Sequence, residues 1–308
     1  MKTAFVFPGQ GAQQIGMGAD FAASPLVAKA AEVCGFDVFG VMTLGPQEKL
    51  LSTTYCQPAL FLHSALVLEA MRSKGLKVSP DYCLGLSLGE YSALYAAGVL
   101  SFEDTLKALV VRGSAMQEAC LKSEGGMLSV LGLDDEAVVS ACEEARQGDV
   151  LQAANFNSPG QIVVSGELEA LARATELLNK AGARRVLPLK VAGAFHSPLM
   201  RPAAEKLRNC LQGLHFCEGC EKVISNVSAR PHAPNSLIEN LVLQLEAPVK
   251  WSQSITHLVR DSGIEAFVEI GTGKVLAGLI KRTEKDASTL SVGARGDFES
   301  LKGSWLLD

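Results

Sequence analysis

The stretch Asp81-Tyr-Cys-Leu-Gly-Leu-Ser-Leu-Gly-Glu-Tyr-Ser-Ala-Leu94 decides the fold, because it predicts a strand, a sharp turn and a helix in immediate succession. Tyr82–Leu84 is a short apolar run, and apolar residues recur near helical spacing from Leu88 until Gly98. The turn between them fits G-x-S-x-G, the nucleophile elbow, with glycines where a Cβ would clash. A chance match is the alternative, but the flanking strand and helix favour Ser87 as a nucleophile above a helix N-terminus.

Composition places the chain among well-packed globular proteins. It has 308 residues, 48% of them hydrophobic, with a mean hydropathy of +0.20, which is enough for one large or two ordinary domains. No apolar run is long enough to span a bilayer, and Met1–Pro8 enters a strand rather than a signal peptide, so we expect a cytoplasmic protein. The net charge of −5 argues against nucleic acid as the main partner.

The eight cysteines are scattered along the chain, which is not the pattern of a disulfide framework. Cys217 and Cys220 have C-x-x-C spacing, which can indicate metal or redox chemistry. No second pair completes a four-ligand site, and His215 and His232 lie at unsuitable spacings. We therefore expect free thiols and no metal.

The first strand, Thr3–Phe7, is followed by a glycine-rich turn, Pro8–Gln14. The turn lacks the Lys-Ser/Thr and G-x-G-x-x-G patterns of nucleotide sites. Its other use is to point a backbone N–H at an active site, as the second half of an oxyanion hole. Further on, Pro58 is expected to open an apolar helix over 59–71, on which His63 is expected to be a packed residue rather than a catalytic one.

A capping box at Ser101–Asp104 predicts a helix over 103–120 that carries Arg112 among apolar and small neighbours. A surface arginine or a structural salt bridge is the ordinary interpretation of an isolated Arg. The functional interpretation is a guanidinium that binds a substrate carboxylate through two parallel hydrogen bonds.

Residues 124–192 are predicted to form a small inserted subdomain, with residues 1–123 and 193–308 as the larger one. Strands and helices alternate here as βαββαβ, the ferredoxin-like split pattern. The chain then reaches His196 on a loop at a strand end, where catalytic groups are often carried. Because a nucleophilic serine needs a base, His196 is the candidate. Further strands are predicted at Val223–Val227 and Ala266–Ile270, and the tail after 283 carries no recognisable chemistry.

Several motifs occur together in one order. They are Phe7-Pro-Gly-Gln-Gly-Ala-Gln13, Gln57-Pro-Ala-Leu, Gly85-Leu-Ser-Leu-Gly-Glu, Arg112-Gly, Asn155-Phe-Asn-Ser-Pro-Gly-Gln161, Phe195-His-Ser, Pro248-Val-Lys-Trp and Glu269-Ile-Gly-Thr-Gly-Lys-Val-Leu276. From about residue 3 to 282 the chain closely resembles the malonyl-CoA:acyl-carrier-protein transacylases and the related acyltransferase domains of polyketide synthases. The resemblance implies an α/β fold: an α/β-hydrolase-like large subdomain with a parallel sheet, plus an inserted ferredoxin-like small subdomain.

The resemblance also implies roles for individual residues. Ser87 would be the nucleophile that becomes malonylated, and His196 its general base and then acid. The backbone N–H groups of Gln10 and Leu88 would form the oxyanion hole, and Arg112 would pair with the free carboxylate of malonyl.

Five further residues are implied with supporting roles. Gln57 would lie in the pocket and help to hold base and substrate, and Asn155 or Asn157 would line the site. Phe195, before the histidine, favours malonyl over methylmalonyl. A main-chain carbonyl near Lys250, rather than an aspartate, would orient the base.

The implied reaction moves malonyl from malonyl-CoA to the phosphopantetheine thiol of acyl carrier protein, with ping-pong kinetics and for fatty-acid synthesis. The resemblance implies no cofactor, and a monomer is expected. One alternative is a trans-acting acyltransferase that loads a polyketide synthase. Others are a serine thioesterase or hydrolase, and a silent carrier-binding protein, which the presence of Ser87, His196 and Arg112 disfavours.

Two features of the sequence qualify the resemblance. The family usually has histidine before the nucleophile, and this chain has Leu86, which affects the expected acyl preference and hydrolysis rate; Thr272, where proline is usual, is a minor change.

Because the carrier protein of this reaction is acidic, we also expect a local basic patch near the site. Its candidates are Arg184, Arg185, Lys190, Arg201 and Lys206.

Overall fold

The computed structural model describes residues 1–76 and 79–301. The strands are β1 (Thr3–Phe7), β2 (Tyr82–Gly85), β3 (Gly125–Leu131), β4 (Leu151–Ser158), β5 (Gln161–Glu167), β6 (Arg185–Pro188), β7 (Ala266–Ile270) and β8 (Ser288–Val292). The helices are α1 (Pro25–Cys34), α2 (Val38–Leu44), α3 (Gln47–Leu51), α4 (Thr53–Ser73), α5 (Gly89–Ala96), α6 (Phe102–Cys120), α7 (Asp135–Arg146), α8 (Leu168–Lys180), α9 (Arg201–Gln212), α10 (Leu237–Leu243), α11 (Trp251–Arg260), α12 (Val275–Thr283) and α13 (Asp297–Ser300).

A parallel sheet with the order β2-β1-β7-β8 forms the centre of the larger part of the molecule. Side chains of β1 alternate between its faces: Phe5 and Phe7 join one core, and Ala4 and Val6 join another. Helices α4, α5 and α6 contribute to the first core, and α11 and α12 to the second. Burial on both faces is what a parallel sheet requires, so the predicted α/β class is confirmed.

The second sheet is antiparallel, with the order β4-β5-β3-β6. The chain order β3-α7-β4-β5-α8-β6 is the predicted βαββαβ pattern. Helices α7 and α8 cover one face of this sheet and form a separate core with Leu128, Val130 and Ile162. On the opposite face, Met127 and Val163 join the large core, so this face lies against the rest of the molecule.

Three elements differ from the sequence-based prediction. Val223–Val227 is not a strand: Val223 and Ile224 form only isolated bridges, to Cys83 and Pro231, because the chain then turns so that Asn226 bonds the nucleophile turn. The tail contains the edge strand β8, whose alternation is weak in the sequence. Pro58 lies inside α4 rather than opening it, because the helix already begins at Thr53. Within the described ranges, no helix is both long and apolar enough to cross a membrane.

Candidate active site

The turn between β2 and α5 holds Ser87 in a left-handed backbone conformation, with φ of 55°. The two flanking glycines are required by close packing. A Cβ on Gly85 would lie 1.9 Å from the carbonyl carbon of Gly89, and a Cβ on Gly89 would lie 2.3 Å from the Phe7 carbonyl oxygen. The Ser87 N–H donates to Asn226 Oδ1 at 2.7 Å, which fixes the strained residue from outside the turn. The predicted elbow is therefore formed.

A cavity of about 500 Å³ lies where the carboxyl ends of β1 and β2 meet the face of the antiparallel sheet that α7 and α8 do not cover. It is large enough to enclose a substrate arm. Eight predicted site residues line it: Gln10, Ser87, Leu88, Arg112, Asn155, Asn157, Phe195 and His196. Gln57 and Lys250 do not.

Arg112 is 1% exposed and holds its guanidinium against the nucleophile. Its Nη2 donates to Ser87 Oγ and to Gln244 Oε1, both at 2.9 Å, and its Nη1 donates to Gln57 Oε1 at 2.7 Å. Burial lowers the pKa of Arg112, since it disfavours the charged form. Among the described residues no carboxylate forms a salt bridge with Arg112, and its Nε has no acceptor. The site therefore contains a buried cation that only neutral groups contact directly.

Gln57 has a different position from the one predicted. It is 1% exposed and lies behind Arg112, where its Oε1 accepts from the guanidinium and its Nε2 lies 3.3 Å from Met116 Sδ. It thus supports Arg112 and contacts neither the base nor the cavity. The expectation that Gln57 holds the base is wrong for this geometry.

His196 is 4% exposed and also has a positive φ, 56°. Its Nδ1 lies 2.7 Å from the main-chain carbonyl oxygen of Gln244. A carbonyl can only accept, so Nδ1 carries the ring proton and Nε2 keeps its lone pair. Burial, and then the charge of Arg112, lower the pKa of His196 to about 4, while the Gln244 carbonyl acts in the opposite direction. The imidazole is therefore neutral at pH 7 and able to accept a proton.

The orienting carbonyl belongs to Gln244, not to Lys250 as predicted. Lys250 lies at the N-cap of α11, and its carbonyl accepts from the main chain and the hydroxyl of Ser254. Its carbonyl is therefore committed to the helix. The family resemblance implied a main-chain acceptor near Lys250, but any residue can supply a carbonyl, so the sequence could not identify which one.

The oxyanion candidates are two backbone N–H groups. Gln10 follows β1 and Leu88 follows the nucleophile, and both residues line the cavity. In the part of the chain that the structure describes, neither N–H donates to another group. Donors without an acceptor beside a nucleophile are suited to an oxygen that gains negative charge.

Leu86, in the place where the resemblance implies histidine, is half-buried and also lines the cavity.

The antiparallel sheet supplies the opposite side of the cavity. Asn155 and Asn157 lie on β4, and Asn157 Oδ1 is buried with no hydrogen-bond partner among the residues that the structure describes. Of the five basic candidates, Lys190 lines the cavity, and Arg184 and Arg185 are exposed near the start of β6. The other two are ion-paired: Arg201 with Glu246 at 3.1 Å, and Lys206 with Glu118.

Sequence reasoning missed three buried residues beneath the nucleophile: Glu90, Asn226 and Gln244. Asn226 binds the elbow on both sides, with Oδ1 on the Ser87 N–H and Nδ2 on the Gly85 carbonyl. Glu90 directly follows the G-x-S-x-G motif. Acidic residues are common in the first turn of a helix, so its position alone did not indicate a special role. Gln244 follows α10 with no motif around it.

The described residues contain no cluster of three or more potential metal ligands. All eight cysteines are free; Cys217 is exposed and Cys220 is buried. His63 is 1% exposed, with Nε2 2.8 Å from the Gly293 carbonyl, as expected for a packed residue.

Three features lie together at the end of a parallel sheet: Ser87 on a nucleophile elbow, a buried neutral histidine, and two backbone N–H groups that line the same cavity. Together they define a serine-dependent acyl-transfer site. The family described as "Acyl transferase domain" matches residues 4–295, and the chain belongs to that family.

Within this family, the chain is similar to proteins named as malonyl transacylases, both in sequence and in structure. The chain is 40% identical to the malonyl CoA-acyl carrier protein transacylase of Haemophilus influenzae, over 98% of both chains. It is 43% identical to the protein of the same name from Bacillus subtilis, over 94% of this chain and 93% of the relative. An acyl carrier protein S-malonyltransferase from Vibrio cholerae superposes with a TM-score of 0.92 at 40% identity, covering 98% of this chain and all of that one. A malonyl-transacylase in complex with a type II PKS acyl-carrier protein superposes with a TM-score of 0.93 at 39% identity, over 99% and 100% of the chains.

Proposed function

We propose that the protein transfers a malonyl group from malonyl-CoA to the phosphopantetheine thiol of an acyl carrier protein, through a malonyl ester on Ser87. The observation that carries the proposal is Arg112, a buried guanidinium in direct contact with the nucleophile and without a carboxylate partner. A buried charge is costly unless it is paired. The free carboxylate of a malonyl thioester supplies that partner, and acetyl or fatty acyl groups do not.

The first half-reaction forms the ester. Ser87 Oγ attacks the thioester carbonyl and passes its proton to His196 Nε2, while the N–H groups of Gln10 and Leu88 receive the developing oxyanion. When the tetrahedral intermediate collapses, the C–S bond breaks and the CoA sulfur takes the proton from His196. In the second half-reaction the carrier thiol gives its proton to His196 and its sulfur attacks the ester carbonyl. The C–O bond to Ser87 then breaks, and His196 returns the proton to Ser87 Oγ, which restores the free hydroxyl.

The proposed reaction changes the hydrogen bonds of Arg112. Before malonyl binds, its Nη2 donates to Ser87 Oγ, and its Nε has no acceptor. We propose that the malonyl carboxylate takes N–H groups of Arg112, which removes a hydrogen bond from the Ser87 oxygen and leaves its lone pair available for attack, while the hydroxyl proton donates toward His196. The Gln57 and Gln244 contacts then hold the guanidinium in place during both half-reactions.

The opposite side of the cavity is proposed to receive the long thiol arm that both substrates share. Asn155 and Asn157 offer amide groups there, and Phe195 closes the cavity beside His196. Lys190, Arg184 and Arg185 are proposed to attract the acidic carrier protein at the entrance. Residues 124–192 would thus be a substrate-facing subdomain inserted between residues 1–123 and 193–308.

The reaction as proposed uses only the two substrates, and we propose that it needs no cofactor. The protein is proposed to act as a monomer in the cytoplasm, in fatty-acid synthesis. A polyketide carrier is the second candidate, because one structural neighbour is a malonyl-transacylase bound to a type II PKS acyl-carrier protein. Assays with the two kinds of carrier protein, at equal malonyl-CoA, separate these candidates by kcat/KM.

The test of the proposed function is intact mass after mixing with malonyl-CoA, run beside Ser87→Ala. We expect one malonyl adduct on the wild type only, discharged by holo carrier protein. Steady release of free CoA without an adduct would instead indicate a thioesterase, with Leu86 as the first residue to examine. If neither adduct nor CoA release occurs, malonyl-CoA is not the donor.

A further inference from the structure

A buried polar network lies beneath the nucleophile, and its centre is the carboxylate of Glu90. Glu90 is 0% exposed and lies in the first turn of α5, three residues after Ser87. Its Oε1 is 2.7 Å from His232 Nε2, and its Oε2 accepts from the Asn226 N–H at 2.9 Å and from Gln244 Nε2 at 2.8 Å. Three donors therefore fix the orientation of one carboxylate.

The Glu90 carboxylate determines which way the Gln244 amide points. An ionised carboxylate only accepts hydrogen bonds, so Gln244 must turn its NH₂ group toward Glu90. The same NH₂ group also reaches the Ser87 carbonyl at 3.0 Å. The amide oxygen consequently faces Arg112 Nη2, at 2.9 Å. In the reversed orientation an NH₂ group would meet the guanidinium, and two donors would face each other.

Gln244 also links this network to the base. Its main-chain carbonyl accepts from His196 Nδ1, and its side-chain oxygen accepts from Arg112. One residue with 0% exposure thus contacts the base, the cation and the nucleophile's own carbonyl. Gln244 thus connects the carboxylate of Glu90 to the guanidinium of Arg112.

We infer that Glu90, held by His232, is a positioning residue: through the Gln244 amide it holds Arg112 in the orientation that selects an acyl group bearing a carboxylate. This inference rests on the proposed function. Glu90 touches no reacting atom and acts only through Gln244. Its negative charge also opposes the lowering of the Arg112 pKa that burial causes, so it helps to keep the guanidinium charged.

The experiment compares Glu90→Gln with Glu269→Gln, a matched control. Glu269 is the other fully buried glutamate of the described residues, but its carboxylate caps α12 through the N–H groups of Leu276 and Ala277. For each variant, kcat/KM is measured with malonyl-CoA and with acetyl-CoA, together with Tm. We expect Glu90→Gln to lower the malonyl-to-acetyl ratio about 10-fold, the effect of losing one hydrogen bond to a charged group. Glu269→Gln should lower Tm and leave the ratio unchanged.

His232 provides a second and independent pair of variants. His232→Gln keeps a side-chain N–H near Glu90 and should retain most of the malonyl preference. His232→Leu removes the donor and should lower the ratio in the same direction as Glu90→Gln. This pair decides the question if Glu90→Gln does not fold.

An unchanged ratio in both Glu90→Gln and His232→Leu would overturn the inference and leave the network a purely structural role. An equal fall in Glu269→Gln would overturn it as well, because any buried carboxylate would then have the effect. The wild-type measurement distinguishes failure of the proposed function from failure of the inference on Glu90. A wild type without a preference for malonyl-CoA over acetyl-CoA contradicts the proposed function itself, before any variant is considered.

Discussion

The two sides of the cavity are built in opposite ways. The floor, which we define as Ser87, Arg112 and His196, is held by hydrogen bonds of 2.7–2.9 Å from groups that are themselves buried. The wall, defined as Asn155 and Asn157 on β4 and Lys190 just after β6, is half-buried or exposed, and Asn157 Oδ1 has no partner among the described residues. Side chains held this rigidly are suited to charge that develops at one fixed position. Groups with spare hydrogen-bonding capacity are suited to a flexible arm that enters from two different carriers.

The largest effect should come from removing the nucleophile on the floor. Ser87→Ala should lower kcat on the order of 10⁶-fold, as for other serine nucleophiles, and abolish the malonyl adduct in intact mass. Asn157→Ala on the wall is the matched comparison and should still form the adduct. An adduct of normal yield on Ser87→Ala would place the nucleophile elsewhere.

The second effect concerns the cation of the floor. Arg112→Ala should lower kcat/KM for malonyl-CoA by at least about 100-fold, because the malonyl carboxylate then lacks its partner in a buried site. Transfer from acetyl-CoA should rise relative to the wild type, since no charge is left unpaired when acetyl binds. Steady-state rates with the two donors measure this. Equal losses on both would show that Arg112 serves only the fold.

The third effect is on pH dependence. The His196 pKa of about 4 lies below the ordinary 6.5, so the base stays neutral and the acid limb of kcat/KM should fall near pH 4. Since the Arg112 charge contributes to this lowering, Arg112→Met should move the acid limb upward, measured with acetyl-CoA as donor. An identical acid limb in both proteins would contradict the electrostatic contribution of Arg112.

The same shift has a consequence for stability. Between pH 6.5 and 4 the unfolded chain binds a proton at His196 that the folded chain does not. The free energy of unfolding should therefore decrease as pH falls through this window, and the decrease should be smaller in His196→Gln. Denaturant titrations of both proteins at pH 7 and pH 5 measure the difference. Equal pH dependence would mean that His196 is not buried in the neutral form.

Residue type and local spacing were sufficient to predict the floor but not the groups that hold it. Ser87 could be found because its turn needs glycines at fixed positions, and the βαββαβ order because each element has its own period. Gln244 and Asn226 come from chain segments more than 130 residues away from Ser87, and they bind through an amide or a carbonyl that leaves no motif. The burial of Glu90 could not be predicted from the sequence either, because it depends on where His232 lies in the fold.

The smallest expected effect is at the entrance beside the wall, and it tests whether the wall side recognises the carrier. Arg185→Glu should raise KM for the acidic carrier protein by about threefold to tenfold and leave KM for malonyl-CoA unchanged, because Arg185 is exposed and does not line the cavity. Lys206→Glu is the matched control. Lys206 is already ion-paired with Glu118 and away from the cavity, so its reversal should change KM for the carrier less than the reversal of Arg185. The difference should shrink as salt is added, since exposed charges are screened. If KM for both substrates rises together in Arg185→Glu, this surface does not distinguish the carrier from CoA, and the proposed role of the patch in recognising the carrier is wrong.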